Sequence, residues 1–181
     1  IVGHDLASGE VLWRYSRPGK MPSVSQPVPL SGDRIFVSKG YGEGCAMLQI
    51  SREGGQWSVE KLWNTMRMKP KFSNIVVRDG YVYGLDNVLL SCLDIRAGQM
   101  GKRQWAEREF DYGQVLLVGD VLLVQKESGE LVAAAATPDG YEELARFQVL
   151  GDHTWNSPVL AGRYYLVRND REAACYEMPL R

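Results

Sequence analysis

The chain has 181 residues with 21 basic and 22 acidic side chains, and so lacks the charge footprint of a nucleic-acid or anionic-membrane binder. Its hydrophobic content of 45% is that of an ordinary globular protein, which excludes extensive disorder. The longest apolar stretch, 131–136, is far short of the roughly 20 residues that a spanning helix needs, so the chain is not expected to be membrane-embedded.

In chain order, residues 1–5 read as the end of a third strand of a repeat and 10–15 as its fourth. The next repeat runs from an apolar segment at 28–31 through Gly32 into a β-rich run at 34–38, then strands at 45–51 and 57–63. A third carries the same series at 75–78, Gly80, 81–84, 88–95 and 102–107. A fourth has it at 115–118, Gly119, 121–125, 130–137 and 142–149. The last offers 158–161, Gly162, 164–168 and 173–178, without a fourth strand. β-branched and aromatic runs around a tight glycine connection predict hairpins. No segment keeps a 3.6-residue period long enough for a helix.

Two independent markers set the period. Trp13, Trp63, Trp105 and Phe147 are spaced by 50, 42 and 42 residues, and Gly32, Gly80, Gly119 and Gly162 by 48, 39 and 43. Four short strands every 40 to 50 residues predict an all-β chain of four-stranded antiparallel β-propeller blades, about four in number. The expected divisions are 1–15 as the end of a blade, 16–64, 65–108 and 109–149 as full blades, and 150–181 as a last blade lacking its outer strand. Two closures follow. Either 10–15 completes the last blade of a four-bladed ring, or these are the C-terminal blades of a ring of seven or eight. The second is preferred, because 1–5 itself reads as the end of a third strand. The sequence opens at Ile1 inside a repeat, so a fragment or processed product is expected, with any leader or lipid anchor upstream.

Cys45, Cys92 and Cys175 are widely spaced and odd in number, which fits neither a disulfide framework nor a Cys-x-x-Cys site. They are expected to be small buried side chains. His4 and His153 lack the nearby ligands of a zinc site, and no metal is expected.

The segment Gly3-His4-Asp5-Leu6-Ala7-Ser8-Gly9-Glu10-Val11-Leu12-Trp13 resembles Ala-x-Asp-x-x-Thr-Gly-x-x-x-Trp, the tryptophan-docking motif of quinoprotein (PQQ-dependent) alcohol dehydrogenase-like propellers. Cys92-Leu93-Asp94-Ile95-Arg96-Ala97-Gly98 repeats it with three extra residues before Trp105. Residues 134–140 repeat it weakly, with Ala136 at the Asp position and Phe147 for Trp, and the blade holding Trp63 carries the most degenerate copy. The chain is similar throughout to bacterial PQQ-like repeat proteins and to the lipoprotein scaffold subunits of outer-membrane β-barrel assembly. The resemblance implies structural roles for Asp5, Gly9, Trp13, Trp63, Asp94, Gly98, Trp105 and Phe147, and places Cys92 and Cys175 at the small Ala position. It also implies a periplasmic or cell-envelope location.

That family's enzymes carry an adjacent cysteine pair, calcium ligands and an Asp base. No cysteines are adjacent here, and no acidic residue matches those positions, so neither a catalytic residue nor a cofactor is expected. PQQ with calcium is unsupported.

The starts of the four innermost strands align as Val24-Ser25-Gln26, Phe72-Ser73-Asn74, Tyr112-Gly113-Gln114 and Trp155-Asn156-Ser157, and in a propeller they ring one mouth of the channel. Gln26, Lys71, Phe72, Asn74, Tyr112, Gln114, His153, Trp155 and Asn156 form a candidate rim for a partner or ligand. The blander alternative, which is preferred, is that the amides satisfy backbone groups and the aromatics wedge between blades. Lys69 and Lys71 read as solvated loop cations rather than an anion site. The leading expectation is a non-enzymatic scaffold with a protein partner in the bacterial envelope. The alternatives are a quinone-dependent or other small-molecule oxidoreductase domain, and a carbohydrate- or peptide-sensing module.

Overall fold

The computed structural model of the chain describes residues 1–17 and 19–179. Pro18, in the expected second blade, and Leu180 and Arg181, at the end of the expected last one, lie outside the described residues. The described residues contain seventeen strands and no helix. β1 (Val2–His4) pairs with β2 (Val11–Arg14). A second sheet is a meander of β3 (Val28–Leu30), β4 (Arg34–Lys39), β5 (Gly44–Glu53) and β6 (Gln56–Thr65). A third follows as β7 (Val76–Arg78), β8 (Tyr81–Asp86), β9 (Leu89–Asp94) and β10 (Lys102–Glu107). The fourth is β11 (Gly113–Val118), β12 (Val121–Lys126), β13 (Glu130–Ala135) and β14 (Glu143–Gln148). The fifth is β15 (Val159–Ala161), β16 (Tyr164–Arg168) and β17 (Ala173–Glu177). All pairings are antiparallel, the arrangement of β-propeller blades. β2 pairs with β1 and not with β17, so residues 10–15 do not complete the last sheet.

The central strands read as unbroken apolar runs because their sheets are covered on both faces. In β12, Leu122 and Val124 point into a cluster with Tyr83, Leu85, Leu90 and Cys92 of the third sheet. Leu123, between them, points the other way, toward Tyr165 and Val167 of the fifth. β4 repeats the division: Phe36 packs toward Val82 and Leu93, and Val37 toward Ile1 and Tyr15. The seam between the fourth and fifth sheets also holds one fully buried amide, Gln125. Its Oε1 accepts from Tyr165 OH at 2.9 Å, and its Nε2 donates to the carbonyls of Lys126 and Glu130 at 3.1 and 3.3 Å.

β5 and β6 are ten residues each and join through Gly54-Gly55, both at positive φ (56° and 85°). A two-residue turn of that kind demands left-handed backbone that only glycine adopts freely. It replaces the docking loop here, which is why this repeat carries the most degenerate motif.

One expectation fails at Cys175. Cys45 and Cys92 are buried, and burial pushes both thiols up to about 12. Cys175, however, is exposed. In β17 the exposed positions 173, 175 and 177 alternate with half-buried 174 and 176, which face the fourth sheet, so Cys175 lies on the opposite face. A small residue at the motif position becomes buried only where a neighbouring sheet covers it. One thiol per native chain should react with a disulfide reagent at pH 8, and three after denaturation. Two fast thiols in the native chain would contradict the burial of Cys45 or Cys92.

Candidate functional site

The tryptophan-docking positions act at the seams. Asp5 caps its loop: its Oδ1 accepts from Ala7 N, Ser8 N and Ser8 Oγ at 3.0, 2.8 and 3.0 Å, and these hydrogen bonds hold the carboxyl below its ordinary range. Gly9 completes the turn at φ 73° and Gly98 occupies the like place at φ 80°. Gly3 pairs with Trp13, and a Cβ there would overlap the indole, which explains Gly for the motif's Ala. At the second copy Asp94 binds Arg96 rather than a hydroxyl, with Nη2 to Oδ2 at 2.6 Å, and Arg96 lies 4.7 Å from the centre of the Tyr81 ring. Arg96 thereby lowers the Asp94 pKa. Trp105 donates from Nε1 to Thr137 O at 2.8 Å and stands 6.1 Å from both Tyr83 and Tyr141, bridging the third and fourth sheets. Trp63 packs edge-on against Phe36 at 6.2 Å in the seam between the second and third sheets, and Phe147 meets Tyr176 at 5.8 Å between the fourth and fifth.

The segments leading into the innermost strands converge. Phe72, before β7, lies 5.6 Å from Tyr112, before β11, and 5.4 Å from Trp155, before β15. Lys71 reaches across to the fourth sheet, where its Nζ donates to Tyr112 OH and stands 4.3 Å from that ring, with the Tyr41 ring at 5.9 Å. On the other side His153 stacks edge-on against Trp155 at 5.2 Å. Trp155 Nε1 donates to Glu127 Oε2 at 2.7 Å, and His153 Nε2 is 3.6 Å from the same oxygen. The result is a strip running Tyr41, Lys71, Tyr112, Phe72, Trp155, His153. Trp155 is 57% exposed, the most open of the strip's Phe, Tyr and Trp rings, so its face is available to solvent and to a partner.

The amides do different work. Gln114, buried on β11, donates from Nε2 to Phe72 O at 3.0 Å and to Trp155 O at 3.1 Å, so one side chain pins the backbone beneath two rings. Asn74 Oδ1 accepts the backbone N–H of Gln26 at 2.9 Å, tying the approach to β3 to the approach to β7. The backbone adds a parallel tie, with Glu127 N donating to Tyr112 O at 2.7 Å and Thr154 N to Glu127 O at 2.9 Å. Gln26 contributes its main chain, and the side chains of Gln26 and Asn156 make no hydrogen bond among the described residues.

Tyr41 of the strip and Glu127 beside it carry no clear sequence signal. Tyr41 sits in the β4–β5 turn at φ 56°, and Glu127 in the β12–β13 turn. Only the blade geometry brings those turns to the same mouth as the strand starts. The reading of Lys69 and Lys71 as solvated cations is also corrected. Lys69 Nζ binds the buried Asp86 at 2.6 Å, and Lys71 is half-buried among tyrosine rings.

A quinone–calcium site finds no fit in these residues. Asp86 is held by Lys69 and Arg103, Glu130 by Lys126 and Arg146, and Asp111 by the backbone N–H groups of residues 127 and 128. Among the described residues no three acidic, histidine or cysteine side chains gather in a metal-binding group. Cys45 and Cys92 lie in separate seams. Nor is any described helix long and apolar enough to cross a membrane.

No protein-family model and no curated protein matches the chain. Among solved structures, the crystal structure of BamB from Moraxella catarrhalis is similar with a TM-score of 0.54 at 11% sequence identity. The match covers 96% of this chain and 65% of that one. A likeness at that identity speaks for the fold: this chain shares the β-propeller architecture over nearly all of its length and spans about two thirds of the BamB chain.

Proposed function

We propose that the chain is part of a non-catalytic β-propeller scaffold that holds a protein partner in the bacterial cell envelope. The observation that carries this reading is the strip from Tyr41 to His153, a partly exposed row of aromatic side chains set on backbone that Gln114 and Asn74 tie together. Aromatic rings on a rigid base favour binding, because little conformational entropy is lost when a partner seats on them. Asp86, Glu130 and Asp111 are committed to cations and backbone, and Glu127 to the Trp155 indole, which argues against metal chemistry there. The envelope location rests on the sequence resemblance to PQQ-like repeat proteins and outer-membrane assembly scaffolds.

Affinity capture from an envelope extract tests the reading. The wild-type chain should recover one partner reproducibly and near stoichiometrically, and the Phe72→Ala/Trp155→Ala double variant should recover much less. Repeated capture of nothing by the folded wild-type chain would defeat the scaffold reading.

A further inference from the structure

Three lysines at the same mouth are neutralised. Lys39 pairs with Glu43 at 3.5 Å, Lys69 with Asp86 at 2.6 Å, and Lys126 with Glu130 at 2.8 Å. Lys71 is the exception: no carboxylate among the described residues pairs with it, and its ammonium is held by the hydroxyl and face of Tyr112 and the more distant face of Tyr41. A half-buried ammonium beside aromatic faces keeps much of its charge unscreened and gains by meeting an anion. At the far end of the strip the sign reverses. Glu127 lies under Trp155 and His153, and an acidic group there would be repelled.

The strip is therefore polar along its length, with a cation that no carboxylate holds at one end, aromatic faces in the middle and a carboxylate at the other. Two of the four rim amides are engaged by backbone, since Gln114 serves two carbonyls and Asn74 one N–H, which leaves only Gln26 and Asn156 to read sugar hydroxyls. A saccharide would find stacking surfaces with few free hydrogen-bonding groups. An extended peptide with acidic residues followed by proline and aromatic ones finds a match for every part.

Building on the scaffold reading above, we propose that the rim recognises such an acidic–aromatic peptide segment of the partner. Lys71 takes the carboxylate, and Phe72 and Trp155 take the proline or aromatic side chain. Lys71 and Trp155 are then specificity residues of different kinds, one for charge and one for apolar surface.

Fluorescence anisotropy with the whole chain tests this, using fluorescein-labelled Asp-Asp-Pro-Phe-Pro-Gly and its Asn-Asn twin. The acidic peptide should bind about tenfold more tightly than the twin, as expected for one charge-assisted contact. Lys71→Gln should abolish that discrimination, and Lys71→Arg should restore most of it. Trp155→Ala should weaken both peptides by about tenfold or more. Unaltered far-UV circular dichroism of each variant separates these effects from misfolding. Equal binding of the twins to the wild-type chain, undiminished discrimination by Lys71→Gln, or tighter binding of laminarihexaose than of the acidic peptide would each overturn the proposal. Capture from envelope extract separates the two readings. A partner retained undiminished by Lys71→Gln and Trp155→Ala defeats the rim proposal and leaves the scaffold reading standing. Peptide discrimination without any captured partner defeats the scaffold reading and leaves the rim chemistry standing.

Discussion

Asp86→Ala should destabilise the chain by about 3 kcal/mol, near the low end of what removing one member of a buried ion pair costs. The Asp86 side chain is 1% exposed and is engaged on both oxygens. Oδ1 accepts from Lys69 Nζ at 2.6 Å and from Lys69 N at 3.0 Å, while Oδ2 accepts from Arg103 Nη2 at 2.6 Å. Truncation leaves two cations facing each other across the vacated space and orphans a backbone N–H. The low end applies because the partners are 20% and 33% exposed and can turn partly toward water. Asp86→Asn should lose less, since its amide oxygen still accepts from Lys69 N. Urea melts with unchanged slope measure both losses. A cost below about 1 kcal/mol for Asp86→Ala would put the cluster among solvated surface pairs. The same variant reaches the rim, because Lys69 N is two residues from Lys71.

The strands were legible because two local signals agree in every repeat: a glycine turn between β-rich runs and an aromatic one period on. Predicted and observed strands differ mainly where a tertiary choice intervenes. In the second sheet the predicted 45–51 and 57–63 lengthen to Gly44–Glu53 and Gln56–Thr65, because Gly54-Gly55 permits pairing up to Glu53 and Gln56. The rim was legible only in part. Aligning the starts of inner strands picks out Phe72, Tyr112 and Trp155, since those positions share one mouth by topology. Tyr41 and Glu127 come from turns between second and third strands, and nothing in their local sequence says that they meet the same mouth. Lys71 is already a rim candidate in the sequence, but its surroundings required the structure: a lysine next to an aromatic residue reads as solvated until a ring from the next blade is seen to face it. Cys175 failed for a related reason, since its motif position specifies size, whereas burial depends on what lies across the sheet.

Trp105→Ala should cost about 3 kcal/mol, the low end of the range for deleting a large aromatic from a core, because the indole is half-buried in the seam. The indole fills the space between Tyr83 of its own sheet and Tyr141 of the next, and its N–H is the polar tie to Thr137 O. Its loss removes the wedge between the third and fourth sheets and leaves that carbonyl without its donor. Trp105→Phe separates the two contributions: it retains most of the apolar contact and should lose about 1 kcal/mol through the missing hydrogen bond, plus a small packing deficit. Phe147→Ala is the internal control. Phe147 occupies the same period position, yet it is 38% exposed and touches a single ring, Tyr176, so its deletion should cost well under half as much as Trp105→Ala. Chemical denaturation of the three variants checks the order. Equal losses at 105 and 147 would mean that the repeat position, and not its burial between two blades, sets the contribution. The predicted inequality instead says that a docking aromatic stabilises a propeller in proportion to the neighbouring blade surface it engages.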